Sequence, residues 1–163
     1  MALIGNQNII KVHYQLDPDY YGRGASSSWT EFNTSFRMDV TPVRSDSVLL
    51  FNWNFTVQTQ THHSCHSWRL YNVTDSAYLD NNGNLSNRNW VHAQTRGQYN
   101  GDNAVGVNLT ARYSPGSTST KTYTLHYRND GGDTYLGHSQ PDGTGSVQWR
   151  HSSIFTVYEL EDL

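Results

Sequence analysis

The chain has 163 residues, room for a single domain, with 11 Lys+Arg against 14 Asp+Glu and a net charge of -3. That balance leaves no electrostatic footprint for nucleic acid or an anionic membrane, and no apolar run is long enough to span a bilayer. Ser, Thr, Asn and Gly supply 61 residues and aromatics 21, against six Ala, three Glu and two Lys, a composition that disfavours helices, favours strands and turns, and provides rings for a core.

Apolar alternation at period two begins early. Ile10, Val12, Tyr14 and Leu16 alternate with Lys11, His13 and Gln15, predicting a first strand. Residues 17–28 are irregular, and form either a plain surface loop or a docking arm using Tyr20, Tyr21 and Arg23. Phe32, Thr34, Phe36, Met38 and Val40 then alternate with Asn33, Ser35, Arg37 and Asp39, predicting a strand over 32–40. A longer run places Leu49, Phe51, Trp53, Phe55 and Val57 on one face, with Asn52, Asn54, Thr56 and Gln58 on the other. Trp68, Leu70 and Tyr71 mark a further strand. Val105, Val107, Leu109, Ala111 and Tyr113 mark the next, and Tyr123, Leu125 and Tyr127 another. Ile154, Thr156, Tyr158 and Leu160 close the chain against Phe155 and Val157.

Turn chemistry separates these runs. Asn82-Gly83, Asn100-Gly101, Asp130-Gly131 and Asp142-Gly143 tolerate the positive φ of tight hairpins, and Ser114-Pro115-Gly116 ends another run. No helical spacing and no repeat of fixed period is present. The expected fold is all-β: an antiparallel jelly-roll sandwich of about eight to ten strands. Some strands are apolar on both faces. Val48 and Leu50 oppose Leu49 and Phe51, and Phe155 and Val157 oppose Ile154 and Tyr158. A half-solvated sheet keeps its outer face polar, so this second face calls for a cover: another copy in a closed cyclic oligomer, or a loop.

The last third carries a family likeness. Arg112-Tyr113-Ser114-Pro115-Gly116-Ser117-Thr118-Ser119-Thr120-Lys121-Thr122-Tyr123-Thr124-Leu125 leads to Tyr127-Arg128-Asn129, then to the terminal Ser152-Ser153-Ile154-Phe155-Thr156-Val157-Tyr158-Glu159-Leu160. This resembles the closing hairpins of C1q/TNF-like jelly-roll domains of bacteriophage virion proteins. Phe36-Arg37-Met38-Asp39-Val40-Thr41-Pro42, Ser47-Val48-Leu49-Leu50-Phe51 and Trp68-Arg69-Leu70-Tyr71 resemble their earlier strands, so the likeness covers roughly residues 28–163. It implies a homotrimer about a three-fold axis, acting as a capsid decoration (cement) protein or as the head of a tail fibre or spike. Only about 28 residues precede the matched region, which resembles a capsid-bound cap more than a fibre head on a long shaft. The expected division is therefore 1–28, a strand and irregular docking segment, and 29–163, the jelly roll.

Candidate chemistry is sparse. His62-His63-Ser64-Cys65-His66 packs four potential metal ligands into five residues, and imidazole with thiolate suits zinc. In an extended segment His62 and His66 point one way and His63 and Cys65 the other. Closing a site needs a turn or one His from each of three subunits; the alternative is a polar hairpin loop. Asp80-Asn81-Asn82-Gly83-Asn84 has the oxygens of a calcium loop but no later bidentate Glu. Five glycosylation triplets, at Asn33, Asn54, Asn72, Asn84 and Asn108, are what so Asn-, Ser- and Thr-rich a chain produces by composition.

No nucleophile elbow, metalloprotease pair or phosphate loop is present, and Glu31, Glu159 and Glu161 sit near strand ends or the terminus, whereas glycoside hydrolysis needs two carboxylates in a cleft. Carbohydrate binding through Trp90, Tyr99, Tyr135 and Trp149, all near turn-rich segments, is the rival reading, with core packing as the alternative fate of each ring. The expectation is a non-enzymatic virion structural protein without cofactor. Its partners are its own copies and the major capsid protein or another virion protein, with no nucleic acid and no membrane. It would be made in the host cytoplasm, where the lone Cys65 forms no intrachain disulfide, and located on the capsid surface or tail. A fibre tip or a carbohydrate-binding module is the alternative.

Overall fold

Alternating apolar residues need a surface to bury against, and the central strand shows how this chain provides one. In β5 (Val48–Thr59), Leu49, Phe51, Trp53, Phe55 and Val57 are all buried while Asn52, Asn54 and Thr56 are half-exposed. The computed structural model describes residues 8–17, 19, 21–59, 65–79, 93–96, 104–137 and 152–161. The other strands are β1 (Ile9–Asp17), β2 (Tyr21–Arg23), β3 (Thr30–Glu31), β4 (Met38–Val40), β6 (Cys65–Asn72), β7 (Ala77–Tyr78), β8 (Ala93–Arg96), β9 (Val105–Tyr113), β10 (Lys121–Asn129), β11 (Thr134–Leu136) and β12 (Ser153–Leu160).

Short strands lie end to end, so these segments form eight rows. β11 and β12 both flank the same side of β5, at Leu136↔Val57 and then Ile154↔Asn54. β1 continues outward from β12 and β2 from β11, β3 and β4 share one side of β10, and β7 and β8 share one side of β6. With rows numbered in chain order, one sheet runs 1-8-3-6 and the other 2-7-4-5. Row 1 pairs with 8, 2 with 7, 3 with 6 and 4 with 5, every pairing antiparallel. This is one long hairpin wound into two facing sheets, the jelly-roll order, and its eight rows lie within the expected count. Residues before position 29 supply β1 and β2, the first row.

The core lies between the sheets. Trp53, Phe51 and Phe155 from one sheet meet Tyr123, Trp68 and Leu125 from the other, all fully buried. Ring centroids stand 4.6 Å apart for Trp53–Phe155 and 4.9 Å for Phe51–Tyr123, both edge-on, as ring quadrupoles prefer.

Three local expectations are corrected. The strand expected over 32–40 is interrupted by a 3-10 turn at Thr34–Phe36. Asn33 Oδ1 accepts the Ser35 N–H at 2.9 Å, so local hydrogen bonding outcompetes the ladder, and Phe32 and Phe36 both reach the core with stacked rings 5.8 Å apart. Gln58, expected on the outer face of β5, is fully buried. At the Asp130-Gly131 turn the positive φ falls one residue later, on Gly132 (φ 71°).

β1 is inside out. Val12, Tyr14 and Leu16 face solvent at 49%, 60% and 50% exposure, while the intervening His13 and Gln15 are half-buried. The inner side of this row meets polar groups. Gln15 Nε2 donates to the Ser35 carbonyl at 2.9 Å, and the buried Asp17 carboxylate accepts from Asp19 N–H and Tyr21 O–H. Strand alternation states that two faces differ, not which one turns inward.

Candidate functional site

The outward residues of β1 form a surface with those of β12. Register places Val12 opposite Tyr158, Tyr14 opposite Thr156 and Leu16 opposite Ile154. Ile154 is 37% exposed and Tyr158 half-buried, so a two-strand apolar stripe of Val12, Tyr14, Leu16, Ile154 and Tyr158 faces outward. One row further in, β5 presents Asn52 and Asn54, and beyond it β9 presents Asn108, whose Nδ2 donates to Asn52 Oδ1 at 3.1 Å and Asn54 Oδ1 at 2.6 Å. The stripe is thus bounded by an amide ladder. Among the described residues β1 is also the outermost strand of its sheet.

The anticipated docking residues have partners within the chain. Tyr21 packs edge-on against Phe36 at 5.0 Å and its hydroxyl donates to Asp17. Arg23 Nε donates to the Phe32 carbonyl at 2.6 Å. Tyr20 lies outside the described residues.

The metal cluster is placed in part. His62 and His63 lie outside the described residues. Cys65 and His66 sit on opposite faces of β6, as extended geometry requires: Cys65 is a half-buried free thiol, and His66 is fully buried, its Nδ1 2.8 Å from Thr134 Oγ1. Asn129 Nδ2 donates to the same Thr134 hydroxyl at 3.0 Å, extending a buried polar chain. Burial pushes the His66 imidazole down to about 4, so it is neutral near pH 7. Among the described residues no three His, Cys, Asp or Glu side chains group as metal ligands. The calcium-like loop at Asp80–Asn84 lies outside the described residues.

Of the glycan-binding candidates, Trp90, Tyr99 and Trp149 lie outside the described residues, while Tyr135 is half-buried on β11 with its hydroxyl 3.4 Å from Asp133 Oδ2. Among the glycosylation triplets, Asn72 is fully buried and bonded to Asp75, and Asn33 is consumed as a turn cap.

Glu31 and Glu159 each hold several hydrogen bonds within the chain. Both Glu31 oxygens accept from Arg37 at 2.8 Å and Thr124 Oγ1 adds a third bond, so the guanidinium holds this acid below its usual range. Glu159 is fully buried, and its Oε1 accepts from Val43 N–H, Arg44 N–H and Ser47 O–H. Nothing in the lone Glu159 or its neighbours marked it in advance as the anchor of the β4–β5 loop.

The outer face of the second sheet carries a feature that sequence reasoning missed. A cleft of about 310 Å³ is lined by Trp29, Cys65, Ser67, Gln94, Arg128, Asn129 and Asp130. Beside it the Arg69 guanidinium lies over the rings of Trp29, at 5.1 Å, and Tyr78, at 3.9 Å. Tyr71 stacks on His126 at 4.1 Å.

No family model matches the chain, and no curated protein matches it. Among solved structures, it matches a chain from the structure of infectious bursal disease virus Gx strain with a TM-score of 0.49 and 8% identity. The match covers 92% of this chain and 40% of that one, so this chain spans less than half of the solved chain's length.

Proposed function

We propose that this protein is a non-enzymatic virion structural protein, a homotrimeric jelly roll that decorates a phage capsid and cements neighbouring shell subunits. The inside-out β1 carries this reading. Five apolar side chains in register on two strands, on the outermost described row of the sheet, form the kind of contiguous surface that soluble monomers rarely leave uncovered. Jelly rolls recur in viral shells and in lectins, an analogy that supports the reading without carrying it. The low charge of the chain also fits faces built to meet other protein surfaces. Work is done by buried area and backbone hydrogen bonds, with self and a shell protein as partners and the virion as location.

Light scattering on the purified chain tests the oligomer. The expected mass is that of three copies, falling to one for Tyr14→Ser combined with Leu16→Ser; a monomeric parent chain overturns the trimer. Capsids carrying the protein should resist heat better than capsids lacking it, and equal resistance overturns the cement role. The second reading, a fibre or spike tip that binds a host glycan, is favoured by the cleft on the other sheet.

A further inference from the structure

We propose that the cleft between Trp29, Ser67, Gln94, Arg128 and Asp130 is a saccharide-binding site that takes one pyranose ring of a glycan. The inference does not depend on the virion reading, since the cleft and the apolar stripe lie on different sheets.

The lining is assembled from four places. Ser67 comes from β6, Gln94 from the neighbouring β8, Arg128 from β10, and Trp29 from the segment before β3. Trp29 is half-exposed and held in place by the Arg69 guanidinium and the Tyr78 ring, whose centroid is 6.1 Å away. An indole held beside a cleft offers a flat apolar surface to the C–H face of a sugar at little ordering cost.

The polar groups supply both hydrogen-bonding roles. Ser67, Gln94 and Arg128 side chains have no hydrogen-bond or ion-pair partner among the described residues, although Ser67 is half-buried. Gln94 donates and accepts, Arg128 donates, and Asp130 accepts. Asp130 is oriented in advance: its Oδ1 accepts the Cys65 N–H at 2.6 Å while its own N–H reaches the Cys65 carbonyl at 3.3 Å. Beneath it Asn129 is fully buried and donates to the Gly132 carbonyl at 2.9 Å. A buried polar floor, one ring wall and a rim carrying the Ser67 hydroxyl, the Gln94 amide, the Arg128 guanidinium and the oriented Asp130 carboxylate match a ligand with an apolar face and a circle of hydroxyls. The volume, about 310 Å³, lies at the small end of ligand pockets and suits a single sugar ring.

The test uses the whole chain. It is screened on a printed array of bacterial surface and animal glycans, and by saturation-transfer NMR against glucose, galactose, N-acetylglucosamine and glucuronate at millimolar concentration. Calorimetry then measures the best binder against Gln94→Ala, Arg128→Ala and Asp130→Asn. The first two alter exposed side chains and leave the fold intact. Binding is expected, weakened at least tenfold by each of the three changes and abolished by Trp29→Ala, with melting temperatures of the Gln94 and Arg128 variants unchanged. No binding on the array or by NMR overturns the proposal. So does binding that survives Gln94→Ala and Arg128→Ala, which would place the sugar elsewhere. A chain that is monomeric or leaves capsids unstabilised, yet binds sugar at these residues, defeats the trimeric cement reading alone.

Discussion

Two histidines make acid stability a property of single residues. Burial lowers His66 and His126 to about 4, against about 6.5 in an unfolded chain. As pH falls from 7 towards 4 the unfolded chain takes up these protons before the folded one does, so stability is full above 6.5 and drains away below it. Each pKa unit is worth about 1.4 kcal/mol, and solvent screening at the half-buried His126 trims its share. Glu31, held down by Arg37, adds its own loss only below its ordinary value of 4.5. Urea midpoints should therefore fall between pH 7.5 and 4.5, with a shallower slope in His66→Gln; an unchanged slope would show that His66 is not responsible. Glu159 is the other decisive residue. Removing its three hydrogen bonds in Glu159→Ala should cost about 3 kcal/mol in urea unfolding, and Glu159→Gln distinctly less because an acceptor oxygen remains. Such roles are not legible in advance, because burial of a lone Glu or His depends on which loop closes over it.

Among elements, β1 shows most plainly what alternation conveys. The period in Ile10, Val12, Tyr14 and Leu16 announces a strand, and the strand is there. Which face meets the core is decided by neighbours far along the chain: the half-buried Gln15 side chain, for one, bonds the Ser35 carbonyl twenty residues away. Because the apolar residues face outward, replacing Tyr14 and Leu16 by Ser should move the melting temperature of an isolated chain by only a degree or two while abolishing association. A large drop in monomer stability, seen by calorimetry at concentrations too low for assembly, would mean the stripe packs within the chain instead. The 3-10 turn itself was hidden by a pattern with the right period and the wrong geometry. Phe32 and Phe36 both face inward whether the intervening residues are extended or coiled, and the Asn33 cap decides between the two.

For the molecule as a whole, the winding sets the kinetics. Row 1 pairs with row 8, joining Ile9 to Leu160 and Asp17 to Ser153, so the sheet is complete only when both ends of the chain meet. Loops this long must close before their contacts stabilise anything, which places refolding in the range of milliseconds to seconds. Stopped-flow fluorescence of the buried Trp53 and Trp68 checks this, and a microsecond phase accounting for the full amplitude would contradict it.

The residue order by itself carried the fold class and most of the strands, because side chains in a sheet alternate at period two wherever one face is buried. The buried faces of β5, β9 and β10 and the break at Gly116 follow from those local rules. Long-range pairing decided the rest. It turned β1 inside out, buried Gln58, Glu159 and His66, and gathered Trp29, Ser67, Gln94, Arg128 and Asp130 around one cleft from segments up to about a hundred residues apart. Periodicity is a property of neighbours along the chain, whereas a surface and a site are made by neighbours across it.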